Sequence, residues 1–266
     1  MEILSFEITG KMAHFRKYYA NNTAFSFSIP PRTTLMGIVA AAMGWPRDSY
    51  YEKLSSDCVQ FGVRVLTPLK KSFQRLNFLS IKSLGDMSKD GSSDFRGKGG
   101  RIQTPFEIIT GLDLTKDDVS YQIFVKPNKS GEKVFQEIKQ SFNNTSPVFN
   151  ITLGSACFSA SIKNIKVINS DHIKELDSSD FVWINSAVPS YLIENLEFDK
   201  NEFENYNFVE EDMMPGDFIE DNNREVKSMN RLLFSITPNP LRVKLKSSFY
   251  QLNYQHELIN IQFMDS

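Results

Sequence analysis

Pro30-Pro31 separates an alternating N-terminal segment from a run of small apolar residues, and this junction constrains the fold of the 266-residue chain most. Residues 2–9 put Leu4, Phe6 and Ile8 on one face and Ile3, Ser5 and Glu7 on the other, the pattern of a half-buried strand. The double proline fixes the backbone beside Arg32. Thr33 or Thr34 then reads as the N-cap of a helix running through Leu35, Met36, Ile38 and Val39 to Met43, with Gly44 as its C-cap. Two basic clusters bracket this strand-to-helix connection: Lys11, His14, Arg16 and Lys17 before it, Arg32 within it. A helix start carries unpaired N–H groups and a partial positive charge, so Arg32, Thr33 and Thr34 mark a place to hold phosphates.

Further along, residues 48–54 read as a short second helix. Residues 58–66 read as a strand with Val59, Phe61, Val63 and Val65 on one face. Residues 119–126 alternate again. Residues 131–142 form an amphipathic pattern with Val134, Phe135, Ile138 and Phe142 inward. The strand at 157–168 changes phase between Ile162 and Ile165, which predicts a bulge near Lys163–Asn164. The order β, α, β, insertion, β, α, β is the split βαβ plan of an α+β, ferredoxin-like (RRM-like) domain spanning 1–168. No aromatic-rich RNP motif is present, so base stacking on the sheet face is not expected. Residues 169–266 read as a small β-rich C-terminal extension, with strands at 180–185, 231–236 and 241–245.

The insertion, about 68–110, is basic and aromatic together. It carries Lys70, Lys71, Arg75, Lys82, Lys89, Arg96, Lys98 and Arg101, with Phe73, Leu76, Phe78 and Ile81 interleaved and a Gly/Ser-rich tip from Gly85 to Gly100. Such a hairpin can track a sugar-phosphate backbone, and it can equally be an ordinary hairpin with solvated lysines.

The net charge of −2 conceals an asymmetry: residues 1–110 carry +6 and residues 111–266 carry −8. The acids concentrate in 194–221, which holds eleven of them and only Lys200. That stretch is either a solvated surface or one that repels nucleic acid or docks a basic neighbour. A near-neutral chain with one basic portion excludes indiscriminate nucleic-acid binding and permits a local site. No run approaches the roughly 20 apolar residues of a membrane span, and residues 1–25 lack a signal-peptide core. Cys58 and Cys157 are expected as buried thiols in a reducing cytoplasm.

Two cysteines and three scattered histidines give no metal-ligand spacing, and no phosphate-binding loop or Ser-His-Asp array is present. Neither metal nor cofactor is expected. His14 with Lys17 and a tyrosine at 18 or 19 could serve a metal-independent ribonuclease, but no second histidine lies near the insertion.

The segments Gly10-Lys-Met-Ala-His-Phe-Arg-Lys17, Ile29-Pro-Pro-Arg-Thr-Thr-Leu-Met-Gly37, Arg101-Ile-Gln-Thr-Pro-Phe-Glu107 and Thr152-Leu-Gly-Ser-Ala-Cys157 together resemble the CRISPR-associated Cas family five. The likeness is dense over residues 1–60, patchy to about 168 and weak beyond. It implies a non-catalytic, type I-B-like Cascade subunit that caps the 5′ handle of the CRISPR RNA. The handle would lie near Lys11–Lys17 and Arg32–Gly37. The insertion would act as a thumb on the guide, adding Lys70, Lys71, Arg75, Arg96, Lys98, Arg101 and Gln103 to the RNA contacts. The implied partners are the crRNA, the Cascade backbone and large subunits and, indirectly, target DNA in the R-loop, with no membrane. Some members cleave precursor RNA, which keeps a repeat-processing endoribonuclease using His14 and Lys17 as the alternative.

Overall fold

The computed structural model describes residues 1–20, 23–79, 101–144, 146–198, 209–219, 224–254 and 257–265. Strand β1 (Ile3–Gly10) leads through a short ladder, Phe15–Arg16 against Ser26–Phe27, into α1 (Arg32–Met43). There follow β2 (Val59–Val65), the paired strands β3 (Leu69–Leu79) and β4 (Arg101–Gly111), then β5 (Val119–Pro127) and α2 (Glu132–Asn144). Two further strands, β6 (Ile151–Thr152) and β7 (Ser159–Ile168), complete this part. The main sheet has the order β2-β5-β1-β7-β6 with every neighbouring pair antiparallel. The molecule is α+β, mostly strand with two α-helices among the described residues.

Local sequence explains most of these elements. Leu4, Phe6 and Ile8 of β1 pack against Phe135, Ile138 and Phe142 of α2 and Leu35 and Val39 of α1, all essentially buried. The Phe6 and Phe142 rings meet at 4.9 Å. Each such side chain contributes about 1.5–3 kcal/mol by leaving water. Gly44 ends α1 in the left-handed region at φ 72°, where a glycine costs least. The bulge falls where the phase change places it: the β1 register shifts between Ser5 and Glu7, opposite Lys166 and Lys163, and Asn164 takes φ 51°.

Three local expectations are corrected. Pro31 itself stands at the N-cap of α1 with no side-chain cap, so Thr33 and Thr34 lie inside the first turn. Residues 48–54 form turns rather than a helix. Cys157 is exposed, and Cys58 is only half-buried against the edge of the core, so neither is a fully buried thiol.

A fourth difference matters more. β1 is buried on both faces over Ile3–Phe6, because Ile3, Phe124 and Ile168 pack under Leu252, Ile259 and Ile261 of the C-terminal strands and under Phe263 just beyond them. Those strands form three three-stranded sheets. Ser248–Tyr254 is central between Ile173–Asp177 and Glu257–Ile261. Leu241–Leu245 lies between Val182–Ile184 and Ile193–Glu197, and Met229–Ser235 between Val188–Pro189 and Val209–Pro215. Met214, Leu232, Phe234 and Met264 also join the core that holds both helices.

Candidate nucleic-acid interface

His14 is where separate sequence motifs meet. Its backbone N–H donates to Leu153 O at 3.0 Å, and its Nδ1 lies 2.7 Å from Glu107 O. A carbonyl oxygen can only accept, so Nδ1 carries the hydrogen. The ring stacks on Phe106 with centroids 3.9 Å apart. Ala13 and Ile109 exchange backbone hydrogen bonds at 2.9 Å, which ties the 11–17 segment to β4. The Glu107 carboxylate accepts from Ser26 N–H at 2.7 Å, tying in the chain just before the prolines. Gly154 completes the junction at φ 89°; a Cβ there would fall 1.9 Å from His14 O. His14 is only 3% exposed, and burial holds its pKa below the ordinary histidine value, with the Glu107 carbonyl partly opposing.

Beside this junction lies a cavity of about 570 Å³, lined by His14, Arg16 and Tyr18, by Thr33 and Thr34 of α1, and by Arg224. A neighbouring cavity of about 340 Å³ shares Thr33, Thr34 and Arg224 and extends along α1 past Gly37 and Tyr50 to Thr152. Together they make a groove along the start of α1. Arg224 is fixed at its rim by Asp48 at 2.9 Å, and Asp48 also accepts from the Tyr51 hydroxyl.

The predicted site residues separate into groups. Arg16 is exposed, and Thr33 and Thr34 are partly so, all three at the groove. Lys11 is exposed and pairs with Asp118 at 2.6 Å, away from the groove lining. Lys70, Arg75 and Gln103 are exposed on the hairpin. Arg101 opens β4 opposite Leu79, while Arg96 and Lys98 lie outside the described residues. His172 sits exposed in a 3-10 turn, and His256 lies outside the described residues.

Arg32 is the clear correction. Its side chain is fully buried, so it presents nothing to a phosphate. Nε meets Asp265 at 2.5 Å and Nη1 meets Asp217 at 2.5 Å. Nη2 donates to Leu54 O at 2.8 Å and Val59 O at 2.7 Å, and the guanidinium lies over the Phe61 ring. Burial pushes the Asp265 carboxyl up, against the pull of Arg32. Arg32 fastens α1 to the C-terminal part at Asp217 and Asp265, each just past the end of a strand.

Lys17 and Lys71 are also partly withdrawn. Lys17 bonds Asp212 and lies 5.1 Å from the Phe27 ring centroid; burial disfavours its charge, yet the Asp212 bond prevails and its pKa stands above the ordinary lysine value. Lys71 meets Glu210 at 2.9 Å, and Glu210 also accepts from Ser28 Oγ. Of the acids in the 194–221 stretch, Glu210, Asp212 and Asp217 thus meet cations of the chain's own N-terminal part, while Glu194 and Glu197 pair with Lys244 and Arg242.

Sequence reasoning missed Arg224, Tyr50 and Phe25, and it named Tyr18 only as one of two tyrosines for a ribonuclease and Phe73 only among the hairpin aromatics. Tyr18 is 55% exposed, and Phe25 and Phe73 are 40% and 55% exposed with rings 5.8 Å apart. Phe73 had a signal, its place among basic hairpin residues; Arg224 had none. Among the described residues no cluster of three His, Cys, Asp or Glu side chains could hold a metal, and no helix is long and apolar enough to cross a membrane.

The family described as CRISPR-associated protein (Cas_Cas5) matches residues 3–223. The chain belongs to this Cas5 family. No curated protein matches it. Among solved structures, a CRISPR protein from Archaeoglobus fulgidus aligns with TM-score 0.52 at 14% identity, covering 98% of this chain and 99% of that one. A chain of a CRISPR RNA-guided surveillance complex aligns with TM-score 0.51 at 13% identity, covering 91% and 92%. At such identities the likeness is one of fold. It extends through the C-terminal strands, where the resemblance read from motifs alone fades.

Proposed function

We propose that this Cas5 protein is a non-catalytic subunit of a Cascade-type surveillance complex that caps the 5′ handle of the CRISPR RNA. In this reading the main sheet is the ferredoxin-like core and the β3–β4 hairpin is the thumb on the guide. The strand order supports the first, since the four long strands run β2-β5-β1-β7 with helices between β1 and β2 and between β5 and β7.

One observation carries the reading. The face of the sheet that an RNA-recognition module would offer to bases is covered by C-terminal strands, while an open groove lies along the start of α1. Arg16, Tyr18, Thr33, Thr34 and Arg224 line that groove with charge, an aromatic face and hydroxyls, which is the equipment for a sugar-phosphate backbone. The hairpin beside it presents Lys70, Phe73, Arg75 and Gln103 to solvent. Guide sequence would then be read by base pairing, with backbone and shape contacts left to the protein. Backbone and large subunits and R-loop DNA are the corresponding partners.

Charge reversal at Arg16 and Arg224 together tests this. Guide RNA co-purifying with the reconstituted complex should fall sharply, and unchanged retention at every salt concentration would remove the groove from the RNA path.

The endoribonuclease alternative keeps one observation in its favour: His14 and Tyr18 line the same cavity. The Lys17 ammonium that should accompany them is instead committed to Asp212. Intact repeat RNA after incubation with the pure protein is the expected result, and cleavage lost in His14→Phe would install the enzyme.

A further inference from the structure

We infer that the cavity beside His14 is a nucleotide subsite in which the His14 ring accepts a hydrogen bond from a donor on the bound nucleotide, the ribose 2′-hydroxyl or a base amino group. This rests on the RNA-binding reading above and sharpens it to one atom.

Three observations meet here. First, His14 Nε2 is buried and has no hydrogen-bond partner, and His14 is one of the residues that line the cavity. Buried polar atoms are nearly always satisfied, so an orphan at a cavity wall calls for an occupant. Second, the role of that atom is fixed. Nδ1 must donate to Glu107 O at 2.7 Å, so the neutral ring presents Nε2 as an acceptor only. Burial keeps the ring neutral, which preserves that lone pair. A phosphate oxygen offers no hydrogen and cannot satisfy it; a 2′-hydroxyl or an amino group can. Third, about 570 Å³ lies within the range of small-ligand sites and accommodates one nucleotide, with Arg16 and Arg224 at its wall for the phosphate and Tyr18 for stacking.

The ring is also held in place for this task. Phe106 stacks on it, and both Leu153 and the close approach of Gly154 fix its backbone. His14 therefore senses a feature of RNA, where the groove's cations sense only charge. Of the two donors, the 2′-hydroxyl distinguishes RNA from DNA.

The experiment titrates the full-length protein with three fluorescein-labelled octanucleotides: oligo(A), its all-2′-deoxy form, and a form with purine riboside replacing adenosine, which lacks the amino group. Wild type and His14→Phe are compared as a double-mutant cycle. Wild type should bind oligo(A) about tenfold more tightly than one of the two altered strands, the size of one lost hydrogen bond. That increment should vanish in His14→Phe, and which strand is weakened names the donor. Histidine ¹⁵N spectra of the wild type give a second readout: the unprotonated Nε2 resonance should move on adding oligo(A). If wild type binds all three strands equally, or if the penalty persists in His14→Phe, the subsite is overturned while the RNA-binding function stands. If wild type binds none of them, both fall together. Should His14→Phe fail to fold, the wild-type strand comparison and the ¹⁵N shift still decide.

Discussion

His14 Nδ1 lies 2.7 Å from the carbonyl oxygen of Glu107, a residue 93 positions further along the chain. That bond fixes the tautomer of the ring and, with the backbone pair of Ala13 and Ile109, holds the N-terminal basic segment on the hairpin. Its burial also gives a pH dependence. The unfolded chain takes up a proton at His14 near the ordinary value of 6.5, while the folded chain resists it to lower pH because burial disfavours the imidazolium. The unfolded state then holds more protons across that window, so stability is full above pH 6.5 and declines as pH falls through it. Urea midpoints at pH 7.5 and 5.5 should differ more for wild type than for His14→Phe; equal differences would contradict the assignment.

Arg32 should behave as a structural residue. Arg32→Met leaves the Asp217 and Asp265 carboxylates buried without a counter-charge, which costs about 3–5 kcal/mol. Chemical denaturation should show that loss in the free protein without RNA. A variant of native stability that fails only to bind RNA would restore Arg32 as a phosphate contact.

Gly154→Ala should open the junction at His14. The backbone there has φ 89°, and the added Cβ would collide with His14 O. Strain of this kind costs about 1–3 kcal/mol. A thermal melt within about 1 °C of wild type would argue against that close approach.

Phe73→Ser should separate binding from folding. The ring is exposed and touches Phe25, so its loss should leave stability almost unchanged. If bases stack on it, affinity for single-stranded RNA should fall by about 1–3 kcal/mol. Equal RNA affinity for the variant and the parent would place the guide elsewhere.

Neutralising the docked acids should expose latent positive charge. Asp212→Asn with Glu210→Gln frees Lys17 and Lys71 from their partners. RNA affinity at low salt should rise, and its salt dependence should steepen by about 0.7 per added phosphate contact. Affinities measured from 50 to 300 mM salt test this; an unchanged slope would show that neither lysine reaches the RNA.

The elements that periodicity defines were legible from the sequence. The strands around Phe6, Phe61 and Ile123, the helix carrying Phe135 and Ile138, and the bulge at Asn164 all follow from which neighbours are apolar, and a chain of one sequence can satisfy that pattern locally. The motif segments around His14, Glu107 and Gly154 were also visible, though not that they converge.

The fate of the charges was decided only by tertiary structure. Arg32 reads as a helix-flanking cation, yet Asp217 and Asp265 surround it from 185 and 233 residues away. Lys17 meets Asp212 across 195 residues. The second face of β1 is apolar at Ile3 and polar at Ser5, and it is buried because strands at 248–261 fold back over it. Charge carries no period, and Coulomb attraction acts through space, so which acid meets which base depends on how distant segments pack. Local sequence determined the elements; long-range packing decided which cations remain free for a ligand.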